Sequence, residues 1–214
     1  HAAELPPGVL NMVHGEGQPT GAYLTADSRL SRISFTGSVS TAREIGKVAA
    51  ENLVPCSLEL GGKSPFIVLA DADVDLAART GALMYRNATQ VCLAGTRFLV
   101  HDSLLAEFTE KMAGYVASLS VGDPQLEKTE VGPLIHPRQL QRVEAFVDRA
   151  VKGGAEVLWG GTRHEAGELY YAPTMLGNVH QDDEIVQKEV FGPVLVMQSF
   201  SSDEEAIAMA NATD

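Results

Sequence analysis

Cysteine is scarce in this 214-residue chain: Cys56 and Cys92 are the only two. So sparse a pair excludes a disulfide-stapled scaffold and points to a reducing compartment, the cytoplasm. Neither cysteine has histidine or cysteine neighbours at zinc-site spacing, and the six histidines are scattered, so no metal site is expected. Positive charge is also scarce. Sixteen Lys and Arg face 28 Asp and Glu, for a net charge of −12. Such a surface repels phosphate backbones and argues against nucleic acid as a partner, while a local basic patch would still hold a dinucleotide. No apolar run reaches the roughly 20 residues of a bilayer-crossing helix, so no membrane partner is expected. Internal repeats, low-complexity segments and a secretory signal pattern are missing as well. The chain starts at His1 inside an α/β pattern and stops at Asp214 inside a helical one, which leads us to expect part of a longer polypeptide.

What is present is an ordinary globular composition, 45% hydrophobic and 21% charged. Short apolar runs alternate with helical stretches, which predicts an α/β fold. Strands are expected near 9–13, 33–36, 57–60, 66–69, 97–100, 156–159 and 193–197. Helices are expected near 20–26, 40–52, 73–86, 103–118, 137–152 and 203–211. The 40–52 helix places Ala42, Ile45, Ala49 and Leu53 on one face, with Thr41 to Glu44 as a capping box. The 137–152 helix begins at Pro137, stripes Leu140, Val143, Val147 and Ala150, and ends at Gly153-Gly154. Gly61-Gly62 is the expected internal boundary.

Four segments carry candidate chemistry, each with a plainer reading beside it. Phe35-Thr36-Gly37-Ser38 follows a short apolar run and opens a helix. Free N–H groups at such a terminus suit a pyrophosphate, or the segment is only a helix cap. The six-residue G-x-G-x-x-G pattern is absent. In Leu58-Glu59-Leu60-Gly61-Gly62-Lys63, a carboxylate sits in an apolar strand. Burial would raise its pKa toward that of a general base, or it lies on the solvent face of an edge strand. Gln90-Val91-Cys92 through Arg97 puts a thiol in a loop, as a nucleophile for a carbonyl or as a small buried hydrophobe. Lys188-Glu189-Val190-Phe191-Gly192-Pro193 offers an acceptor for ribose hydroxyls, or is an ordinary turn. Cys56 has only the small-hydrophobe reading. His101-Asp102-Ser103 holds triad residue types but is better read as a helix cap.

Taken in order, these segments resemble the aldehyde dehydrogenase superfamily, along essentially the whole chain. Leu58 to Pro65 is close to that family's glutamate signature and Gln90 to Arg97 to its cysteine signature. Gly15-Glu16-Gly17, Gly132-Pro133-Leu134-Ile135, Pro173-Thr174 and Glu189 to Pro193 fall at further landmarks. The resemblance implies Cys92 as nucleophile and Glu59 as the base that activates water on a thioester. It implies Gly37 and Ser38 at the cofactor pyrophosphate and Leu60 and Gly61 as backbone near the nicotinamide. Glu189 would then hold the nicotinamide ribose, with Phe191 packed beside it. The cofactor would be NAD, with NADP as the alternative, and the substrate a small aldehyde. Residues 1–61 would be the end of a Rossmann-like cofactor domain, and 62–214 most of an α/β catalytic domain. The complete enzyme would be a homodimer or homotetramer.

The departures from the family pattern are specific. Thr89 stands where the family usually has glycine, and a β-branched residue there would misplace the cysteine loop if the position needs positive φ. On the resemblance, the asparagine that stabilises the oxyanion and the lysine that binds the adenine ribose lie upstream of this chain. The strand used for oligomer contacts lies downstream. Two other readings stand beside the hydrolytic enzyme: a non-catalytic portion of such an enzyme, and a relative that passes the acyl group to coenzyme A.

Overall fold

The structure is a computed structural model describing residues 4–213. It is α/β with parallel sheets, in two compact units divided between Gly61 and Gly62.

The first unit is built on two parallel strands, β1 (Ile33–Gly37) and β2 (Cys56–Leu60), joined through α2 (Val39–Glu51). A short helix, α1 (Ala22–Thr25), precedes them. Ser38 caps α2, its hydroxyl accepting from the Thr41 amide at 3.2 Å. The expected capping box at Thr41 is therefore displaced: the helix starts earlier, and Thr41 already lies inside its first turn. Leu53 also leaves the expected stripe. The helix ends at Glu51, Leu53 turns left-handed (φ +56°) and is 90% exposed, and Val54 enters the core in its place. The Val54 amide closes this turn on the Ala49 carbonyl at 2.8 Å. Ile33, Ala49 and Val54 form the small core, with half-buried Cys56 packed against it. The strand expected at 9–13 is not formed. Val9, Leu10, Met12 and Val13 are exposed and pair with no strand among the described residues.

The second unit is a five-stranded sheet in the order β3-β4-β7-β6-β5. Its strands are β3 (Pro65–Val68), β4 (Arg97–His101), β5 (Glu156–Trp159), β6 (Thr174–Gly177) and β7 (Val194–Phe200). All neighbours run parallel except β5, which is antiparallel to β6. The remaining helices are α3 (Val74–Ala82), α4 (Leu105–Ala117), α5 (Pro137–Lys152), α6 (Glu184–Gln187) and α7 (Asp203–Ala210). Phe98 and Val100 of β4 join Val194 and Val196 of β7 and Phe108 and Met112 of α4 in the main core. Leu99 points to the other side, with Phe200 and Ala206 of α7.

Helix α5 begins with Pro137 at its N-terminus and ends at Gly153, followed by Gly154 at φ +107°, where the pattern places both ends. It buries Leu140, Val143, Phe146 and Val147. Two elements were not anticipated. Strand β6 is buried at every position and lies between two other strands, so it shows no apolar alternation. The single turn of α6 is too short to carry a helical period. The helix expected to run to residue 86 stops as α-helix at Ala82 and tightens into a 3₁₀ segment, Leu83–Thr89.

Candidate active site

The expected site residues fall into two groups, one in each unit. In the first unit, parallel pairing sets Gly37 beside Leu60 and Thr36 beside Glu59. Gly37, Ser38, Glu59, Leu60 and Gly61 thus gather at the carboxyl ends of two adjacent parallel strands, where open α/β sheets take their ligands. Helix α2 starts at the same end, with the Ser38, Ser40 and Thr41 hydroxyls clustered at 3.0 Å around its cap. A Cβ on Gly37 would fall 2.6 Å from the Phe35 ring, so the close packing of that ring requires glycine here. Glu59 is exposed on β2, so of the two readings of its strand the solvent-facing one holds. Among the described residues no further strand joins the β1–β2 sheet.

In the second unit the cysteine loop is anchored at both ends. Tyr85 is fully buried, donates to the Thr174 carbonyl at 2.8 Å and accepts from the Trp159 indole at 3.1 Å. The chain then kinks at Arg86, and Asn87, Ala88 and Thr89 all take left-handed backbone, at φ +54°, +51° and +54°. The Thr89 position therefore takes positive φ, with a β-branched residue in it. Its hydroxyl donates to the Met84 carbonyl at 2.9 Å, a bond glycine would not make. Gln90 ties the loop across to the Gly132–Ile135 landmark. Its amide donates to the Pro133 carbonyl at 3.2 Å and accepts from the Ile135 amide at 2.9 Å. Downstream, Ala94 is buried and Arg97 is wholly enclosed, its guanidinium donating to the Met209 and Ala210 carbonyls at the end of α7. Between these anchors Val91, Cys92 and Leu93 are exposed, with the turn closed by Ala94 N–H on the Val91 carbonyl at 3.1 Å. The Cys92 thiol is free and on the surface, so it is not the buried hydrophobe its residue type most often is.

Glu189 sits in the turn before β7, and α5 holds that turn through its backbone. Arg142 donates to the Glu189 carbonyl at 2.7 Å. The Gln139 amide donates to the Val190 and Phe191 carbonyls at 2.9 and 2.8 Å. Phe191 is half-buried and left-handed at φ +58°. Gly192 is required by close approach, since a Cβ there would fall 2.3 Å from the Val143 side chain. Burial raises the Glu189 carboxyl above its ordinary range, against the opposing pull of Arg142 and then Lys63. Gln139, Arg142, Gln90 and Lys63 were not singled out from the sequence. Gln139 and Arg142 are spaced i, i+3 on α5, which puts them on one face, but nothing local to α5 names the turn they hold.

A groove of about 410 Å³ on the second unit, lined among others by Leu105, Thr109, Leu158, Met197 and Met209, contains none of these residues. Among the described residues no group of three or more His, Cys, Asp or Glu is placed to hold a metal, and no helix is long and apolar enough to cross a membrane.

Parallel strands, an exposed thiol on a braced loop and a carboxylate turn braced by a helix make this an α/β protein with its candidate site residues on loops at strand ends. The chain belongs to the aldehyde dehydrogenase family, whose sequence model matches residues 1–214. It is 40% identical over 213 residues to the (Z)-2-((N-methylformamido)methylene)-5-hydroxybutyrolactone dehydrogenase of Acinetobacter baylyi, covering 99% of this chain and 44% of the relative. Its fold matches the NAD-dependent aldehyde dehydrogenase of Sinorhizobium meliloti with a TM-score of 0.95 at 40% identity, over 99% of this chain and 42% of that one. It likewise matches a mutant of aldehyde dehydrogenase C from Pseudomonas syringae, solved with NAD+ and octanal, with a TM-score of 0.95 at 37% identity, over 99% and 44%. The chain spans somewhat under half the length of the curated relatives it matches, 45% and 44% for two of them.

Proposed function

We propose that the complete protein oxidises an aldehyde to a carboxylic acid with reduction of NAD, or of NADP, and that this chain supplies the nucleophile, the base and part of the cofactor site. The observation that carries the reading is Cys92, an exposed thiol on a loop fixed on both sides by buried anchors. The residues present suit a dinucleotide. The N-terminus of α2 presents three clustered hydroxyls and the positive end of its dipole at the carboxyl ends of β1 and β2. Leu60 and Gly61 bring backbone to the same end of the sheet. Glu189 would take the ribose hydroxyls, with Phe191 beside it. The NAD+ complex of the Pseudomonas syringae relative supports this choice of cofactor.

When bound, the nicotinamide supplies the two-electron acceptor. Cys92, as thiolate, adds to the aldehyde carbon and holds it as a thiohemiacetal, which becomes a thioester on oxidation. The exposed Glu59 carboxylate takes a proton from water, the resulting hydroxide attacks the thioester, and the acid leaves as Cys92 regains its thiolate. A base in this role favours water over coenzyme A as the acyl acceptor. The same reading assigns residues 1–61 to the cofactor domain and 62–214 to the catalytic domain of a cytoplasmic homodimer or homotetramer.

The test is reduced-cofactor formation by the complete protein with a panel of aldehydes. Cys92→Ala should abolish turnover, and Glu59→Gln should leave a single burst of reduced cofactor without steady turnover. Undiminished turnover by the Cys92 variant would overturn the proposal.

A further inference from the structure

Gln90, two positions before Cys92, has both N–H bonds and the oxygen of its side-chain amide committed. The N–H bonds go to the carbonyls of Asn87, at 3.0 Å, and Pro133, at 3.2 Å. The oxygen accepts from the Ile135 amide at 2.9 Å. These partners fix the orientation. Turned over, the side chain would set its NH2 against the Ile135 N–H and its oxygen against two carbonyls.

The bonds join a strained segment to an anchored one. On the near side, Asn87, Ala88 and Thr89 are left-handed in succession. Such backbone persists only where its surroundings over-determine it. Gln90 and Asn87 close this run reciprocally. The backbone and side-chain N–H groups of Gln90 donate to the Asn87 carbonyl, and the Asn87 amide donates to the Gln90 carbonyl at 3.2 Å. On the far side, Leu134 is buried and its N–H donates to the Leu169 carbonyl at 2.9 Å, so the segment that Gln90 reaches is rooted in the core. Ile135 is 78% exposed, and the Gln90 oxygen is what its N–H meets. Val91, Cys92 and Leu93 are themselves exposed, so packing within the described residues does little to fix the thiol.

We propose that Gln90 is a positioning residue for the Cys92 nucleophile: its amide fastens the left-handed run to the Gly132–Ile135 segment and so sets where the thiolate meets the aldehyde carbon. The inference rests on the assignment of Cys92 as nucleophile made above. Attack needs the reacting atoms aligned at about 3–3.5 Å, and a displacement of about 1 Å costs on the order of 100-fold in rate.

The experiment measures kcat and KM for NAD across pH in the complete protein, for the parent and for Gln90→Met, Gln90→Glu and Cys92→Ala, together with hydrogen exchange of the Ile135 amide. Gln90→Met keeps the length of the side chain and removes all three bonds. It should lower kcat on the order of 100-fold, leave KM for NAD near the parent's, and free the Ile135 amide to exchange. Gln90→Glu makes the same test by titration. Its neutral carboxyl donates to the Pro133 carbonyl and accepts from the Ile135 N–H, whereas its carboxylate, an acceptor only, faces two carbonyls. Those carbonyls disfavour the charged form and raise its pKa. The kcat of this variant, relative to the parent at the same pH, should therefore be near one in acid and fall as pH rises. Thermal melts check folding, and the Gln90→Glu series carries the test if Gln90→Met does not fold. If Cys92→Ala retains turnover, the nucleophile assignment fails and takes this inference with it. The inference about Gln90 alone is overturned if Cys92→Ala is inactive and any of three results appears: Gln90→Met keeps the parent's kcat, its Ile135 amide stays protected, or the relative kcat of Gln90→Glu is flat with pH.

Discussion

Thr89 is where residue chemistry and backbone geometry disagree most openly. A left-handed conformation costs an L-residue about 1–2 kcal/mol, and a β-branched one is a marked outlier there. The hydroxyl bond to Met84 returns about 0.5–1.5 kcal/mol of that. Thr89→Gly and Thr89→Ala both lose this bond, so the comparison between them isolates the backbone. At an ordinary position alanine is the more stabilising of the two by roughly 0.5–1 kcal/mol, through the entropy of the unfolded chain. At position 89 the order should invert, with glycine above alanine by about 1 kcal/mol in urea unfolding. Alanine at or above glycine would show that the loop does not hold positive φ in solution. The sequence raised this question by setting a threonine where the resemblance expects glycine. It gave no sign that Asn87 and Ala88 would share the conformation, because neither residue type demands it.

At the scale of elements, helices with their own caps and stripes were the most legible. Helix α5 was readable from Pro137, its apolar stripe and Gly153-Gly154, all local signals. What failed depended on partners distant in sequence. The 9–13 run reads as a strand but finds no neighbour, and β6 is a strand only because β7 and β5 flank it. The candidate site divides the same way. Cys92, Glu189 and the Gly37-Ser38 turn stood out by residue type and order, whereas Gln90, Gln139 and Arg142 act on carbonyls or amides about 45 residues or more away. Because α5 braces the Glu189 turn and Gln90 braces the cysteine loop, the two sites should be separable. Gln139→Leu removes both bonds to the Phe191 turn, an expected cost of about 1–3 kcal/mol for the carbonyls left without them. It should raise KM for NAD about tenfold, the equivalent of about 1.4 kcal/mol, while the alkylation rate of Cys92 stays near the parent's. A parallel fall in thiol reactivity would mean that the two loops are braced as one.

At the scale of the whole molecule, the two units are stabilised unequally. The second has five paired strands, with a central pair, β4 and β7, buried almost throughout. The first has one parallel pair of strands and a core of Ile33, Ala49 and Val54. Parallel strands are ordinarily covered on both faces, and so small a sheet has little burial with which to resist local opening. Leu53 and the 9–13 segment leave further apolar side chains in water. Hydrogen exchange on the 214-residue chain should therefore resolve two levels. Amides of Leu99 and Val196 should exchange only by the largest opening, and those of Phe35 and Leu58 at least about 100-fold faster, a difference of about 2.7 kcal/mol in opening free energy. Equal protection would mean that the units open together, and that the first draws its stability from something other than its own core. Binding of NAD adds a second readout. Ligand that engages the α2 terminus stabilises the state it binds in proportion to RT ln(1 + [L]/Kd), so slowed exchange in β1 and β2 would locate the cofactor there without any need for turnover.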